Sequence, residues 1–337
     1  MSGEKSNSDP HLLAKVLEDA QSAEERATRS YTEFREEEIL RNQELFSRYS
    51  ELSEGRRLVA YFAKIEHPNS SMQPSDVAPV TALLEREDET ENLDFWINSP
   101  GGSAQTAEKI VAACRASCSG EFRVVVPNMA KSAATMTALC ADQIVMGYLS
   151  ELGPIDPQVP VQVGGLLRYV SAQSFLDGQK AALQAVAQAQ SKEEPVIGHL
   201  QLLNSPDMSA AWIKEMERER EIKFGKDMVS KHLRRHMLPR LHPNADARDL
   251  GSKASRIASN LSQANKRFTH GRMIPAEECR DDLKLDVEVL DKENERWKII
   301  WEIWVRMEIF LQTYRREADD NGPAKIFADQ DEIQLSG

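Results

Sequence analysis

Apolar positions along this 337-residue chain fall in two rhythms. Between residues 56 and 147, short and nearly continuous apolar runs alternate with stretches of helical period. RRLVAYFAKIE (56–66), NLDFWIN (92–98), FRVVVPN (122–128) and DQIVMG (142–147) predict buried strands. DVAPVTALLERE (76–87), SAQTAEKIVAACRASC (103–118) and SAATMTALCA (132–141) predict the helices between them. Strands this apolar, joined by helices, predict a parallel sheet covered on both faces.

Beyond Gly147 the pattern changes. VPVQVGGLLRYVSA (159–172) holds two short apolar runs about Gly164 and Gly165, which predicts a β-hairpin. Helical spacing then dominates, over 171–190, 207–238, 245–266 and 291–316. THGRMIPAEECRDD (269–282) interrupts it, and LKLDVEVL (283–290) reads as the final strand. Residues 10–53, rich in Glu, Arg and Ala, predict one or two exposed helices, an appendage or an oligomer contact. The expected division is a helical N-terminal extension (1–54), an α/β core (55–190), a helical segment with a last strand and an amphipathic helix (191–320), and a tail (321–337). In that helix Trp297, Trp301 and Trp304 share one face, suited to packing on the sheet or to a subunit interface.

Composition narrows the classes. Hydrophobic residues make up 41% and charged residues 28%, a soluble globular balance. A formal charge of −12 argues against general nucleic-acid binding. MSGEKSNSDPHLLAKVLEDA lacks a basic flank followed by an apolar core, so no signal peptide is expected, and charges break every long apolar stretch, so no membrane span is expected. Cys114, Cys118, Cys140 and Cys279 show no metal spacing and read as buried reduced thiols of a cytoplasmic protein. His232 and His236 stand four apart, but no glutamate of the zinc-peptidase pattern lies between them, and Arg234 and Arg235 do. No metal, cofactor or ATP phosphate loop is expected.

Two motifs carry candidate chemistry. In DFWINSPGGSAQTAEKI a buried strand runs into Pro100, Gly101 and Gly102, and a helix follows. Pro100 fixes the exit angle, and the glycines leave backbone N–H groups open to an anion or a developing oxyanion. The competing reading is a tight strand–helix turn. In VVVPNMAKSAAT, Ser132 follows another buried strand and opens a helix with Ala133, Ala134 and Thr135. It is either a helix cap or a nucleophile beside the Ala133 N–H. Both motifs sit at strand C-terminal ends, where open α/β sheets bind ligands.

Taken together, INSPGG (97–102), VPNMAKSAAT (126–135), ADQIVMG (141–147), SELGPIDPQV (150–159) and THGRMIPAEE (269–278) resemble the Clp-protease/crotonase superfamily. Within it they are similar to the serine dehydrogenase proteinase group, relatives of signal peptide peptidase A. The resemblance covers roughly residues 55–315. It implies an α/β, crotonase-like (Clp-type) parallel sheet with flanking helices. It implies Ser132 as nucleophile and the N–H groups of Gly101 or Gly102 and of Ala133 as the oxyanion hole. Relatives usually carry SAGT where this chain has SAAT, so Ala134 departs from the pattern and would narrow the pocket.

The base is open. Clp-type relatives place a histidine where this chain has LGPIDPQV, and only Asp156 stands there. His270 could be the base with Asp156 orienting it, an exchange of order that triad geometry permits. Lys180, desolvated, could serve instead. The third possibility is an inactive site. The resemblance implies a cytoplasmic, ATP-independent serine peptidase acting on peptides or unfolded segments, as a homo-oligomer without nucleic acid. The rival is a non-catalytic scaffold or peptide-binding module. Acyl-thioester chemistry, which the fold also supports, is a third class.

Overall fold

A computed structural model describes residues 41–86, 91–155, 158–163, 166–192, 195–197, 206–262, 272–313, 323–329 and 333–336. The first described element is a helix, α1 (41–52). β1 (Arg57–Ala63) follows, then a 3-10 turn (Pro74–Asp76) leading into α2 (Val77–Glu85). The α/β alternation continues with β2 (Leu93–Asn98), α3 (Ala104–Ala116), β3 (Phe122–Val126), β4 (Met129–Ala130), α4 (Ala133–Leu139), β5 (Gln143–Gly147) and β6 (Glu151–Leu152). A hairpin of β7 (Gln158–Val163) and β8 (Leu166–Ser171) precedes the helices α5 (Ala172–Ser191), α6 (Pro206–Arg235), α7 (Met237–Leu241) and α8 (Ala247–Ser262). The remainder is β9 (Ile274–Pro275), α9 (Ala276–Asp281), β10 (Val287–Leu290), α10 (Glu295–Thr313), β11 (Lys325–Ala328) and β12 (Ile333–Ser336).

Seven strands form the main sheet, in the order β10-β5-β3-β2-β1-β11-β12. The first five are parallel, as the apolar runs predict, and β11 and β12 add an antiparallel edge. LKLDVEVL therefore is not the final strand. Residues read as a tail supply two more, and Ile326, Phe327 and Ala328 are fully buried there. A second, three-stranded sheet joins β4, β6 and β9.

Side chains alternate between two cores, as strand geometry requires. Phe95, Ile97, Val124 and Val126 face one core with residues of α2, α3, α4, α6 and α8. Trp96 and Val125 face the other, against α1 and α10. The expectation of exposed N-terminal helices fails for 41–52: Leu45, Phe46 and Tyr49 are buried. Tyr49 and Phe46 meet Trp96 edge to face, with ring centroids 4.7 and 6.2 Å away. Helical spacing in a charged sequence had concealed a narrow apolar stripe. On α10, Trp297 lies over Gly147, where a Cβ would overlap the indole, while Trp301 and Trp304 are half-buried. That aromatic face is core at its first tryptophan.

Charges close the opposite end of the sheet. Asp94 on β2 is fully buried and accepts from Arg56 Nε (2.7 Å), Arg123 Nε (2.8 Å), Arg123 Nη2 (2.7 Å) and the Tyr49 hydroxyl (2.7 Å). Glu121 extends the network to Arg56 (2.8 Å) and to Arg240 on α7 (2.6 Å). Two guanidinium groups satisfy the buried carboxylate, a condition for an internal charge to be tolerated. Burial and the Asp94 charge push the Tyr49 phenol up, so it stays a donor. Tyr49→Phe removes one bond to a charged acceptor and should cost about 1.5–3 kcal/mol. The urea unfolding midpoint should fall accordingly; an unchanged midpoint would show that α1 docks through its apolar stripe alone.

Candidate active site

Two strand ends run side by side before they diverge into helices. The Ser99 N–H donates to the Met129 carbonyl (3.0 Å), and the Lys131 N–H donates to the Ser99 carbonyl (3.1 Å). This ladder carries the Pro100–Gly101–Gly102 turn alongside the Lys131–Ser132 turn. A Cβ on Gly101 would overlap the Lys131 carbonyl oxygen and lie 2.8 Å from Ser132 Cβ and 3.0 Å from Ala133 N. Gly101 also has a φ of 92°, which favours glycine. The sequence motif thus has a steric reason: only glycine lets the first turn close against the second.

Ser132 stands at the N-cap position of α4, but its side chain does not cap the helix. Its backbone stands at φ 50° and ψ −114°, and its hydroxyl makes no capping bond. Ser103, at the start of α3, shows the ordinary alternative: φ −69°, ψ 121°, and its side chain accepts from the Thr106 N–H at 3.2 Å. A non-glycine residue in such a region costs on the order of 1–3 kcal/mol and persists only where its surroundings fix it. Here they do. Lys131 Nζ pairs with Glu151 (2.8 Å) and donates to the Leu152 and Arg272 carbonyls (3.2 Å each). The Ala134 N–H donates to the Lys131 carbonyl (2.9 Å), and the Met136 N–H to the Ser132 carbonyl (3.0 Å). Thr135 Oγ1 donates to the Ala130 carbonyl (2.6 Å) and accepts from the Gly153 N–H (3.1 Å). Strained strand-to-helix turns of this kind hold the nucleophile of many hydrolases in reach of solvent. Ser132 itself is half-buried.

The donors divide. The Gly101 N–H is occupied by Ser99 Oγ at 3.1 Å, which removes Gly101 from the oxyanion candidates. Gly102 bridges Met72 in parallel fashion, through Met72 N–H to Gly101 O (2.7 Å) and Ser103 N–H to Met72 O (3.0 Å). That pattern turns the N–H of Gly102 itself away from Met72. Ala133, the first helical residue of α4, has an N–H without an intrahelical acceptor. Among the described residues, Gly102 and Ala133 are therefore the candidate donors without an acceptor. Gly102 has a φ of 149°, and a Cβ there would overlap the Met72 backbone, so no side chain fits at this position without moving the turn. The Ala134 methyl is fully buried in the core. The extra carbon packs inward, contrary to the expectation that it narrows a pocket.

The candidate bases fare differently. His270 and Asp156 lie outside the described residues. Their flanks do not: β6 ends four residues before Asp156, β9 starts four after His270, and both pair in the small sheet whose third strand, β4, ends two residues before Ser132. The Ile155 N–H further donates to the Leu261 carbonyl (3.0 Å). Lys180 is exposed on α5, so this chain does not supply the desolvation that a lysine base requires. Sequence reasoning missed Met72, Glu151 and the anchoring role of Lys131. Met72 gives no local signal, since its contribution is wholly backbone.

Elsewhere the four cysteines are free and buried, and burial pushes the thiols of Cys114, Cys140 and Cys279 up. His232 and His236 stack with ring centroids 5.6 Å apart. Among the described residues no helix is long and apolar enough to cross a membrane, and no group of three His, Cys, Asp or Glu side chains is arranged to hold a metal ion.

Residues 76–178 match the family of ClpP-like SDH-type serine proteinases. Two uncharacterized proteins of Methanocaldococcus jannaschii, MJ0137 and MJ1495, are 43% and 36% identical to the chain over 67 residues. Each match covers 20% of this chain and 23% of the relative, so the chain spans about a quarter of the curated proteins it matches.

The histidine pair carries a pH prediction. Burial, then the neighbouring His236, Arg115, Lys231 and Arg235, push His232 down from 6.5 to about 4. Between those values the unfolded chain binds a proton that the folded chain refuses. Stability is thus complete above pH 6.5 and declines as the pH falls toward 4, by about 1–2 kcal/mol after screening of the exposed part of the ring. Urea titrations across this range should show the slope in the natural protein and a shallower one in His232→Asn. Equal slopes would remove His232 from the account.

Proposed function

With residues 76–178 matching the Clp-protease and serine dehydrogenase proteinase group, we propose that the protein is a serine peptidase with Ser132 as nucleophile. The observation that carries the reading is the backbone of Ser132, held at φ 50° with its hydroxyl uncommitted to the helix it precedes. In this mechanism Ser132 Oγ attacks the peptide carbonyl and a base takes its proton. The carbonyl oxygen, now negative, accepts from the N–H groups of Gly102 and Ala133. Collapse of the tetrahedral intermediate expels the amine and leaves an acyl-enzyme, which water then hydrolyses.

For the base we propose His270, oriented by Asp156. Support comes from the small sheet: it ties the chain beside each of the two residues to the strand that delivers Ser132. Lys180 is the weaker reading, given its exposure. The substrates of the proposal are peptides or unfolded segments. Assembly into a homo-oligomer is part of it, supported by the half-buried Trp301 and Trp304 and the exposed Ile309 along α10. A cytoplasmic setting rests on the four free thiols.

A fluorophosphonate, mapped by mass spectrometry, tests the nucleophile. A stoichiometric adduct on Ser132, absent in Ser132→Ala, is expected; a folded protein that gives no adduct would favour a non-catalytic peptide-binding module. Peptide turnover should rise with pH through an apparent pKa of about 6.5 before perturbation, the value for imidazole. His270→Ala should remove that limb and lower kcat by about 100-fold or more, the usual range for a general base. Mild loss in His270→Ala together with an inactive Lys180→Met would transfer the role to Lys180.

A further inference from the structure

The Gly101–Ser103 turn is braced from outside the two motifs. Met72 pairs with it through both of its backbone polar groups. Met72 belongs to a loop that turns immediately into the 3-10 helix Pro74–Asp76, and Asp76 there is fully buried. Asp76 Oδ2 accepts from the Gln73 N–H (2.8 Å) and from the Tyr61 hydroxyl (2.9 Å). Its countercharge comes from far along the sequence. Lys325, the first residue of β11 and 3% exposed, places Nζ 2.8 Å from Asp76 Oδ1 and 2.9 Å from Oδ2.

We infer that Lys325 is a positioning residue: through Asp76, Gln73 and Met72 it fixes the turn that presents the Gly102 N–H, so the β11–β12 hairpin sets the oxyanion site as well as closing the sheet edge. The catalytic half of this inference rests on the proposed serine mechanism. Three features support the chain of contacts. A buried lysine needs its partner, so the pair determines where the Pro74–Asp76 turn sits. Gln73, bonded to Asp76, is next to Met72. Gly102 lies so close to the Met72 backbone that no Cβ fits between them, so a shift of Met72 moves the turn directly. A Cβ at Gly101 would meet Lys131, Ser132 and Ala133 rather than Met72, so the serine turn contacts the glycine turn at one residue and Met72 crowds it at the next.

Lys325→Met keeps the aliphatic bulk and removes the charge. Amide exchange measured by NMR at Met72 and Ser103 should accelerate by at least about tenfold, while the Val124–Val126 amides keep their protection. Peptide turnover should lose about 10- to 100-fold in kcat with KM nearly unchanged, because displaced donors weaken only the transition state. Should Lys325→Met fail to fold, Asp76→Asn with Lys325→Met leaves no lone buried charge and is read the same way. Natural exchange rates at Met72 and Ser103 in the variant would overturn the inference, and so would accelerated exchange with kcat intact. A natural protein that neither labels at Ser132 nor turns over peptide sinks the serine mechanism and the catalytic half together. An active natural protein beside a fully active variant sinks the positioning role alone.

Discussion

Between Gly101 and Ser132 there is room for a hydrogen atom and nothing larger. A methyl at Gly101 would overlap the Lys131 carbonyl and crowd both Ser132 Cβ and Ala133 N. The closeness follows from the ladder between Ser99 and the 129–131 segment, which sends two turns off the sheet in parallel at one hydrogen-bond spacing. Because the turns cannot separate, the residue that leaves the second one cannot relax into the helix. Ser132 takes a positive φ, and its hydroxyl is kept from the capping bond that Ser103 makes at the head of α3. Gly102, one residue on, is pressed from the other side by Met72. The conformation of the serine turn and of the glycine turn beside it follows from these two contacts.

Strain of this kind needs anchors, and the small β4-β6-β9 sheet supplies them. Lys131 is half of the answer to a question its sequence position poses. A lysine next to a candidate nucleophile invites a role in proton transfer. Instead its ammonium is held by Glu151 and by two carbonyls, from Leu152 and Arg272. The residue thus fastens β6 and the chain just before β9 to the backbone that carries the serine. Thr135 does the same from within α4, with one hydroxyl bonded to Ala130 and Gly153.

The parallel sheet was legible because β1, β2, β3 and β5 are buried on both faces and read as nearly continuous apolar runs. Both motifs were legible as well, since a Pro-Gly-Gly turn and a serine among small residues are local features. What stayed hidden was non-local. The strand β11, between β1 and β12, is only four residues long, and its lysine looks like a surface residue until Asp76, 249 positions away, is seen beside it. The α1 stripe of Leu45, Phe46 and Tyr49 is three residues in a run of charges, and its partner Trp96 lies on another element. The choice between Gly101 and Gly102 as donor was also beyond local reading, because the Ser99 hydroxyl decides it. The small sheet consists of two-residue strands, too short to leave a periodic trace.

Charge and strain occupy opposite ends of the same strands. Asp94 is the second residue of β2, and Arg56 and Arg123 meet it at the starts of β1 and β3. The Ser99–Gly102 turn leaves the same strand at its far end. At about 3.3 Å of rise per residue, roughly 16 Å of β-strand separates Asp94 from Ser99. The amino end of the sheet therefore carries a saturated ion network that fixes how the strands pair. The carboxyl end has positive φ at Gly101, Gly102 and Ser132, and N–H groups at Gly102 and Ala133 that no described residue accepts from. An unsatisfied donor is costly inside a protein but useful where a negative charge forms for an instant. Placing stability at one end lets the other keep its donors open without endangering the fold. The rigid strands between them carry the position of the first to the second.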